Sequence, residues 1–300
     1  MIENIHIFGA TTITGEYLKE NIQSIFPKLN VFTYSRNNLN TIYLDLKDKN
    51  SKILKSKEEH IIINISPIWL LSEFLENSIL NNKDIRRKLK GIITCSSSSV
   101  ITKRFSINKY DKNLVEKLKN SEEKILRICS SQNINYSIVR PTLIYGSSRN
   151  YSDKNLNYII RLMSFIPFII LPSNCGLRQP IHAKQLSRAL LKILINMRQN
   201  QKYKSEIIAL GGDQELSYKD MIKKIIEKLP SNHSAKKTII LEIPNRLFYF
   251  LFSPLLIINP KLYEAILRIG SDLAGFKKSF QFSYTDYEKF PILPYIKNNN

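Results

Sequence analysis

Acidic residues are scarce in this 300-residue chain: 25 Asp and Glu stand against 45 Lys and Arg, a formal net charge of +20. Such a balance suits anionic partners of several kinds: nucleic acid, an acidic membrane surface or an anionic small molecule. The cations are scattered, however, and no segment resembles an RNP motif, a basic zipper or a zinc finger, so nucleic acid is not an expected partner. Cysteine is scarce as well. Cys95, Cys129 and Cys175 are odd in number, far apart and form no CxxC pair. That excludes a disulfide framework and a thiolate zinc site, fits a reducing cytoplasm, and leaves no metal expected. No basic region followed by an apolar run opens the sequence, so a signal peptide is not expected. Long apolar runs are missing too. The most apolar stretch, Leu247 to Ile258, is too short to span a bilayer and is interrupted by Pro254. It reads as a buried helix, with peripheral membrane contact the lesser alternative.

What is present is ample material for a core, at 43% hydrophobic residues. Strand-length apolar runs stand at Ile5–Phe8, Val31–Tyr34, Thr41–Leu44, His60–Ile65, Ile92–Cys95, Tyr136–Arg140 and Glu206–Leu210. Amphipathic segments of helical spacing follow most of them, at Thr14–Ile25, Leu70–Asn81, Leu114–Ser130, Asn155–Phe165, Ala183–Met197 and Ser217–Leu229. This alternation predicts an α/β fold with a doubly wound, Rossmann-like parallel sheet. From about residue 236 the pattern breaks at Pro244, Pro254, Pro260, Pro291 and Pro294. The expected organisation is therefore a dinucleotide-binding domain over 1–235 and a smaller lobe of short helices and loops over 236–300, on the substrate side.

The first strand runs into Gly9-Ala10-Thr11-Thr12-Ile13-Thr14-Gly15 and then a helix. A dinucleotide site needs a tight turn there, with backbone able to approach a pyrophosphate at a helix N-terminus. Gly9 serves the turn and Gly15 the close packing of helix on strand, while Thr12 stands where the usual pattern has its middle glycine. Thr11, Thr12 and Ile13 complete the candidate phosphate turn. The second strand ends in Arg36, where an acidic residue would bind the ribose hydroxyls of NAD and an arginine suits the extra phosphate of NADP. NADP is thus the preferred cofactor and NAD the alternative. Asp45, after the third strand, is placed for the adenine side. Asn64 and Ser66 end the fourth strand, where backbone would lie against the cofactor.

Four strings then stand in one order: the Gly9–Gly15 turn, Ser96-Ser97-Ser98-Ser99-Val100, Arg140-Pro141-Thr142-Leu143-Ile144-Tyr145-Gly146, and Gly176-Leu177-Arg178-Gln179-Pro180-Ile181-His182. Together they resemble the extended short-chain dehydrogenases, the NAD-dependent epimerase/dehydratase family acting largely on nucleotide sugars, over about residues 1 to 230. The resemblance implies an oxidoreductase or epimerase in which a Ser, a Tyr and a Lys handle the proton while the nicotinamide takes hydride. Ser97 matches the serine. Counting back from Glu123, matched to the family helix's usual glutamate, puts Lys119 at the lysine position and Val115 at the tyrosine position, and valine transfers no proton. Tyr145 and Lys103 are the candidate substitutes, a phenol base and a cation to lower its pKa. Arg178 and His182 fall where the family contacts substrate phosphates. The alternative reading is a dinucleotide-binding structural or regulatory subunit without turnover.

Overall fold

In a computed structural model, the chain is described over residues 2–36, 41–48, 51, 53, 58–79, 83–200 and 203–296. It divides into two compact units that alternate along the sequence. The first comprises Met1–Val100, Glu116–Pro141 and Ala183–Leu210; the second comprises Ile101–Val115, Thr142–His182 and Gly211–Asn300.

The first unit is built on seven parallel strands: β1 (Asn4–Phe8), β2 (Asn30–Ser35), β3 (Ile42–Tyr43), β4 (His60–Asn64), β5 (Leu89–Cys95), β6 (Asn135–Pro141) and β7 (Glu206–Gly211). Their order is β7-β6-β5-β4-β1-β2-β3, and each neighbouring pair runs parallel. All seven expected strands are present. Parallel strands covered on both faces read as near-continuous apolar runs, and every residue of β1 and β4 is buried. The chain leaves β1 towards β2 and β3, then returns to place β4 on the other side of β1. The crevice at the carboxyl ends of β1 and β4 is therefore the switch point at which such sheets bind ligands.

Helix α1 (Ile13–Ile25) follows β1 and buries Ile13, Leu18 and Ile22. Helix α2 (Ile68–Phe74) follows β4 and widens into a π turn over Leu75–Ile79; the end of the expected 70–81 helix lies outside the described residues. Helix α3 spans Lys109–Gln132, longer at its N-terminus than the expected Leu114–Ser130. Helix α4 (Ala183–Gln199) packs beside α1, where Asn21 Nδ2 donates to Ser187 Oγ at 3.0 Å. A pair of histidines lies inside the sheet. His6 on β1 and His60 on β4 are both buried, with ring centroids 5.2 Å apart, and His6 Nδ1 is 2.8 Å from the Tyr34 hydroxyl. Burial, reinforced by His60, lowers the His6 pKa to about 3.

The second unit has its own core, in which Tyr145, Leu156, Met163, Met221, Ile222 and Phe290 pack together. Its helices Asn155–Phe165 and Tyr218–Lys228 match the expected segments, and Ser217 caps the latter by accepting from Asp220 N at 3.0 Å. Two expectations for the C-terminal lobe are corrected. Ile239–Ile243 is a strand, paired in parallel with Phe168–Pro172, rather than part of a region of helices and loops alone. The stretch Leu247 to Ile258 is not a buried helix. It forms helices Asn245–Phe252 and Leu255–Ile258, broken at Pro254, and only Phe248 among its side chains is buried.

Candidate functional site

A cleft of about 430 Å³ opens at the switch point, formed wholly by the first unit. Gly9 closes β1 with φ +81°, a left-handed conformation that suits glycine; an added Cβ would stand 2.7 Å from the Ser66 nitrogen. At Gly15 an added Cβ would overlap the Gly9 carbonyl, so this glycine brings α1 against the end of β1. Thr12 is the N-cap of α1. Its Oγ1 accepts from Gly15 N at 3.1 Å and donates to Gly9 O at 2.8 Å, so the residue in place of the middle glycine ties the turn to the helix. The Ile13 and Thr14 N–H groups, first in the helix, have no intrahelical acceptor and point out of its N-terminus. That end favours an anion.

The cleft wall carries Thr11, Thr12, Arg36, Asp45 and Ser66. Ile13 is buried and supplies backbone only. Asn64 is buried behind the wall: its Nδ2 donates to Ser66 O at 2.9 Å and to Thr94 Oγ1 at 3.1 Å, and its Oδ1 accepts from the Ser66 hydroxyl. Asn64 thus shapes the turn, and Ser66 is the residue that faces the cleft. Asp45 accepts from Lys47 N at 3.0 Å, a turn that brings Lys47 into the wall beside Arg36. Lys47 and Trp69 line the cleft without having been expected there, and the Lys117 ammonium lies 4.5 Å over the Trp69 ring. A turn only glycine fits, a helix N-terminus, two cations and an apolar slot are the parts a dinucleotide's adenosine and pyrophosphate require.

No protein-family model matches the sequence, and no curated protein matches it. Many solved structures share its architecture. MoeE5 in complex with UDP-glucose and NAD is 14% identical, at a TM-score of 0.57 over 95% of this chain and 94% of that one. A nucleoside-diphosphate-sugar epimerase from Staphylococcus aureus is 15% identical, at 0.60 over 95% and 97%. Gre2 from Candida albicans is 12% identical, at 0.62 over 97% and 95%. The fold is theirs. The resemblance to extended short-chain dehydrogenases therefore holds at the level of the fold.

The remaining candidates fall in both units. Ser97 belongs to the first, after β5. Its Oγ accepts from Ser99 N at 3.1 Å and donates to Ser99 Oγ at 3.0 Å, and the side chain is half-buried. Beside it Ser96 donates to Glu122 at 2.5 Å, and Glu122 is paired with Arg140, whose Nε donates at 3.0 Å. Glu122, not Glu123, is therefore the glutamate that faces the sheet, while Glu123 is exposed. Counting back in fours along this face reaches Leu118 and Leu114. Lys119 is exposed, off that face, and Val115 is buried.

Tyr145 is corrected from candidate base to packing residue. Its ring is buried between His182 and Phe290, at 5.0 Å from each, and its hydroxyl accepts from Ile292 N at 3.0 Å. Burial pushes its pKa far above the ordinary phenol value, beyond what the Ile292 hydrogen bond offsets. Lys103 pairs with Asp111 at 2.7 Å rather than with a phenol, and Arg268 reaches the other oxygen of Asp111 at 2.7 Å. Burial would raise the Asp111 carboxyl, but hydrogen bonds from Lys103 and Asn108 and the charges of Lys103 and Arg268 hold it below the usual range.

The two phosphate candidates are corrected likewise. Arg178 is buried, and its guanidinium donates to Leu177 O at 2.8 Å, to Ser271 O at 2.7 Å and to Arg268 O. It clamps backbone, and it stacks over Tyr218 at 5.2 Å. His182 is fully buried, edge-on to Tyr145, with Nε2 at 3.1 Å from Pro294 O. A separate hollow of about 630 Å³ in the second unit is lined by Lys103, Arg104 and Arg268 against Glu264 and Asp272. Of these cations, Arg104 is the exposed one, lying 4.6 Å over Phe105.

Proposed function

We propose that the chain is an NAD(P)-binding protein of the oxidoreductase or epimerase type, taking a nucleotide sugar or a similarly anionic substrate. The cleft at the switch point carries this reading, because the Gly9 turn closes on Ser66 too tightly for any side chain and leaves α1's N-terminus facing the crevice. NADP is the favoured cofactor. Arg36 and Lys47 share the wall that follows β2 and β3, where a ribose 2′-phosphate would meet two cations. When bound, the nicotinamide supplies a hydride acceptor; the chain itself holds the dinucleotide, and Ser97 is the side chain available to orient a substrate hydroxyl. Substrate class is taken from the fold's company, MoeE5 having been seen with UDP-glucose and NAD. The unpaired cysteines fit a reducing cytoplasm.

A second reading, a cofactor-holding subunit without turnover, is favoured by one observation. The positions in register with Glu122 are leucines, and the nearest sequence substitute, Tyr145, is sealed in packing. General acid–base assistance is worth about 10²–10⁴-fold, and the phenol of Tyr145 is not free to supply it. Calorimetry with NADPH and NADH, followed by turnover assays with UDP-glucose, separates the readings. Binding with turnover supports the enzyme. Binding without turnover on any nucleotide sugar supports the subunit. No binding of either dinucleotide sinks both.

A further inference from the structure

The second unit carries an apolar face that stays exposed among the described residues. Helix Asn245–Phe252 turns Phe248 inward and exposes Leu247, Phe250 and Leu251 at helical spacing, Phe250 by 77%. After the break at Pro254, the turn Leu255–Ile258 exposes Leu256, Ile257 and Ile258, with Ile257 at 88%. A segment distant in sequence joins the helix that follows this face. Ile107 and Tyr110 are both exposed, and the Ile107 N–H donates to Glu264 Oε1 at 2.8 Å, which ties this segment to helix Pro260–Leu267. The Lys261 ammonium sits 5.7 Å from the Tyr110 ring centroid.

The charges say what covers this face. Between Glu242 and Glu264 there is no Asp or Glu, and the charged residues there are Arg246 and Lys261, one towards each end and both exposed. Glu264 accepts from the backbone of Ile107 and Asn108 and lies 3.7 Å from Arg268, so its charge is answered locally. A second copy of the same face would set these cations against themselves, on a chain already at +20. An anionic lipid surface meets both needs, with acyl chains for the leucines, isoleucines and Phe250 and phosphates for the flanking cations. No helix among the described residues is long and apolar enough to cross a membrane, so the contact is in-plane.

We propose that the Leu247–Ile258 face docks the protein onto anionic bilayers, with Arg246 and Lys261 at the level of the lipid phosphates. Vesicle sedimentation of the full chain tests this. The protein should sediment with vesicles of phosphatidylcholine mixed with phosphatidylglycerol, and much less with phosphatidylcholine alone. Ile257→Asp with Ile258→Asp should reduce partitioning at least about tenfold at an unchanged melting temperature, since both side chains are exposed. Arg246→Gln and Lys261→Gln should each weaken binding to the mixed vesicles about fivefold. Failure to sediment, or unchanged sedimentation of the double Asp variant, would overturn the proposal. Equal binding to both vesicle types would overturn its anionic part. Light scattering that shows a wild-type dimer and a monomeric double Asp variant would assign the face to a second copy instead.

Discussion

The two units treat family-like strings in opposite ways. In the first unit, the Gly9–Gly15 turn keeps its shape for a ligand: glycines sit where side chains would clash, and Thr12, Arg36, Asp45 and Lys47 ring a hollow. In the second unit, Arg178, His182 and Tyr145 keep their places in sequence, yet each side chain ends on backbone of its own unit. A matched residue therefore says little about role until its hydrogen-bond partners are known. Buried polar groups take internal partners, and a guanidinium that holds three carbonyls is structural whatever string contains it.

The contrast can be broken at its strongest point first. Gly9→Val places a β-branched side chain at positive φ and against Ser66, so dinucleotide affinity should fall at least about a hundredfold in calorimetry. Retained affinity would mean the turn is not the ligand cradle. Arg178→Ala should do the reverse. It leaves buried carbonyls without donors and should cost on the order of 3 kcal/mol in denaturant unfolding, while NADPH affinity stays within about twofold. A stable Arg178→Ala protein with weakened binding of a nucleotide sugar would restore the phosphate-clamp role. Arg36→Ala should abolish a preference for NADPH over NADH of roughly tenfold, since a charge-assisted pair contributes about 1.5–3 kcal/mol. An unchanged ratio would point to Lys47 as the residue that reads the phosphate. Tyr145→Phe should be the mildest change, about 1 kcal/mol of stability from the Ile292 N–H left unpaired, with turnover, if any, intact. A loss of turnover at unchanged stability would return Tyr145 to the chemistry.

Much of this was legible in the sequence, and the gaps have physical causes. The central strands of the parallel sheet, β1 and β4 above all, stood out because strands covered on both faces read as near-continuous apolar runs. Ile239–Ile243 did not, since it pairs with a strand far away in sequence and keeps Ile239 and Leu241 exposed, which no local pattern marks. In the cleft, Gly9, Thr12, Arg36, Asp45 and Ser66 were readable from strand ends. Lys47 was signalled only by its place two residues after Asp45, and Trp69 by its place two residues after Pro67. The stripe Leu118, Glu122, Ile125 and Cys129, all buried, marks Glu122 and not Glu123 as the glutamate that faces inward. The carbonyls of Arg268 and Ser271 that Arg178 holds, and the Ile292 N–H that Tyr145 accepts from, lie about 90 to 150 positions away in sequence, a distance no motif spans.

The histidine pair between β1 and β4 makes this protein's folding a titration. An unfolded His6 takes a proton below its ordinary pKa of 6.5, whereas the folded one resists until about 3. Its contribution to stability is therefore complete above 6.5 and drains away as the pH falls towards 3, by about 1.4 kcal/mol for each pH unit. His60, also lowered by burial, steepens the same limb. Melting followed down through this range should show an early acid slope, flattened in His6→Phe; a wild-type melting temperature that holds level down to about pH 4 would show that the rings accept protons where they lie. Two imidazoles sealed in the centre of the sheet thus tie its stability to proton activity, each step below pH 6.5 drawing on the same buried pair.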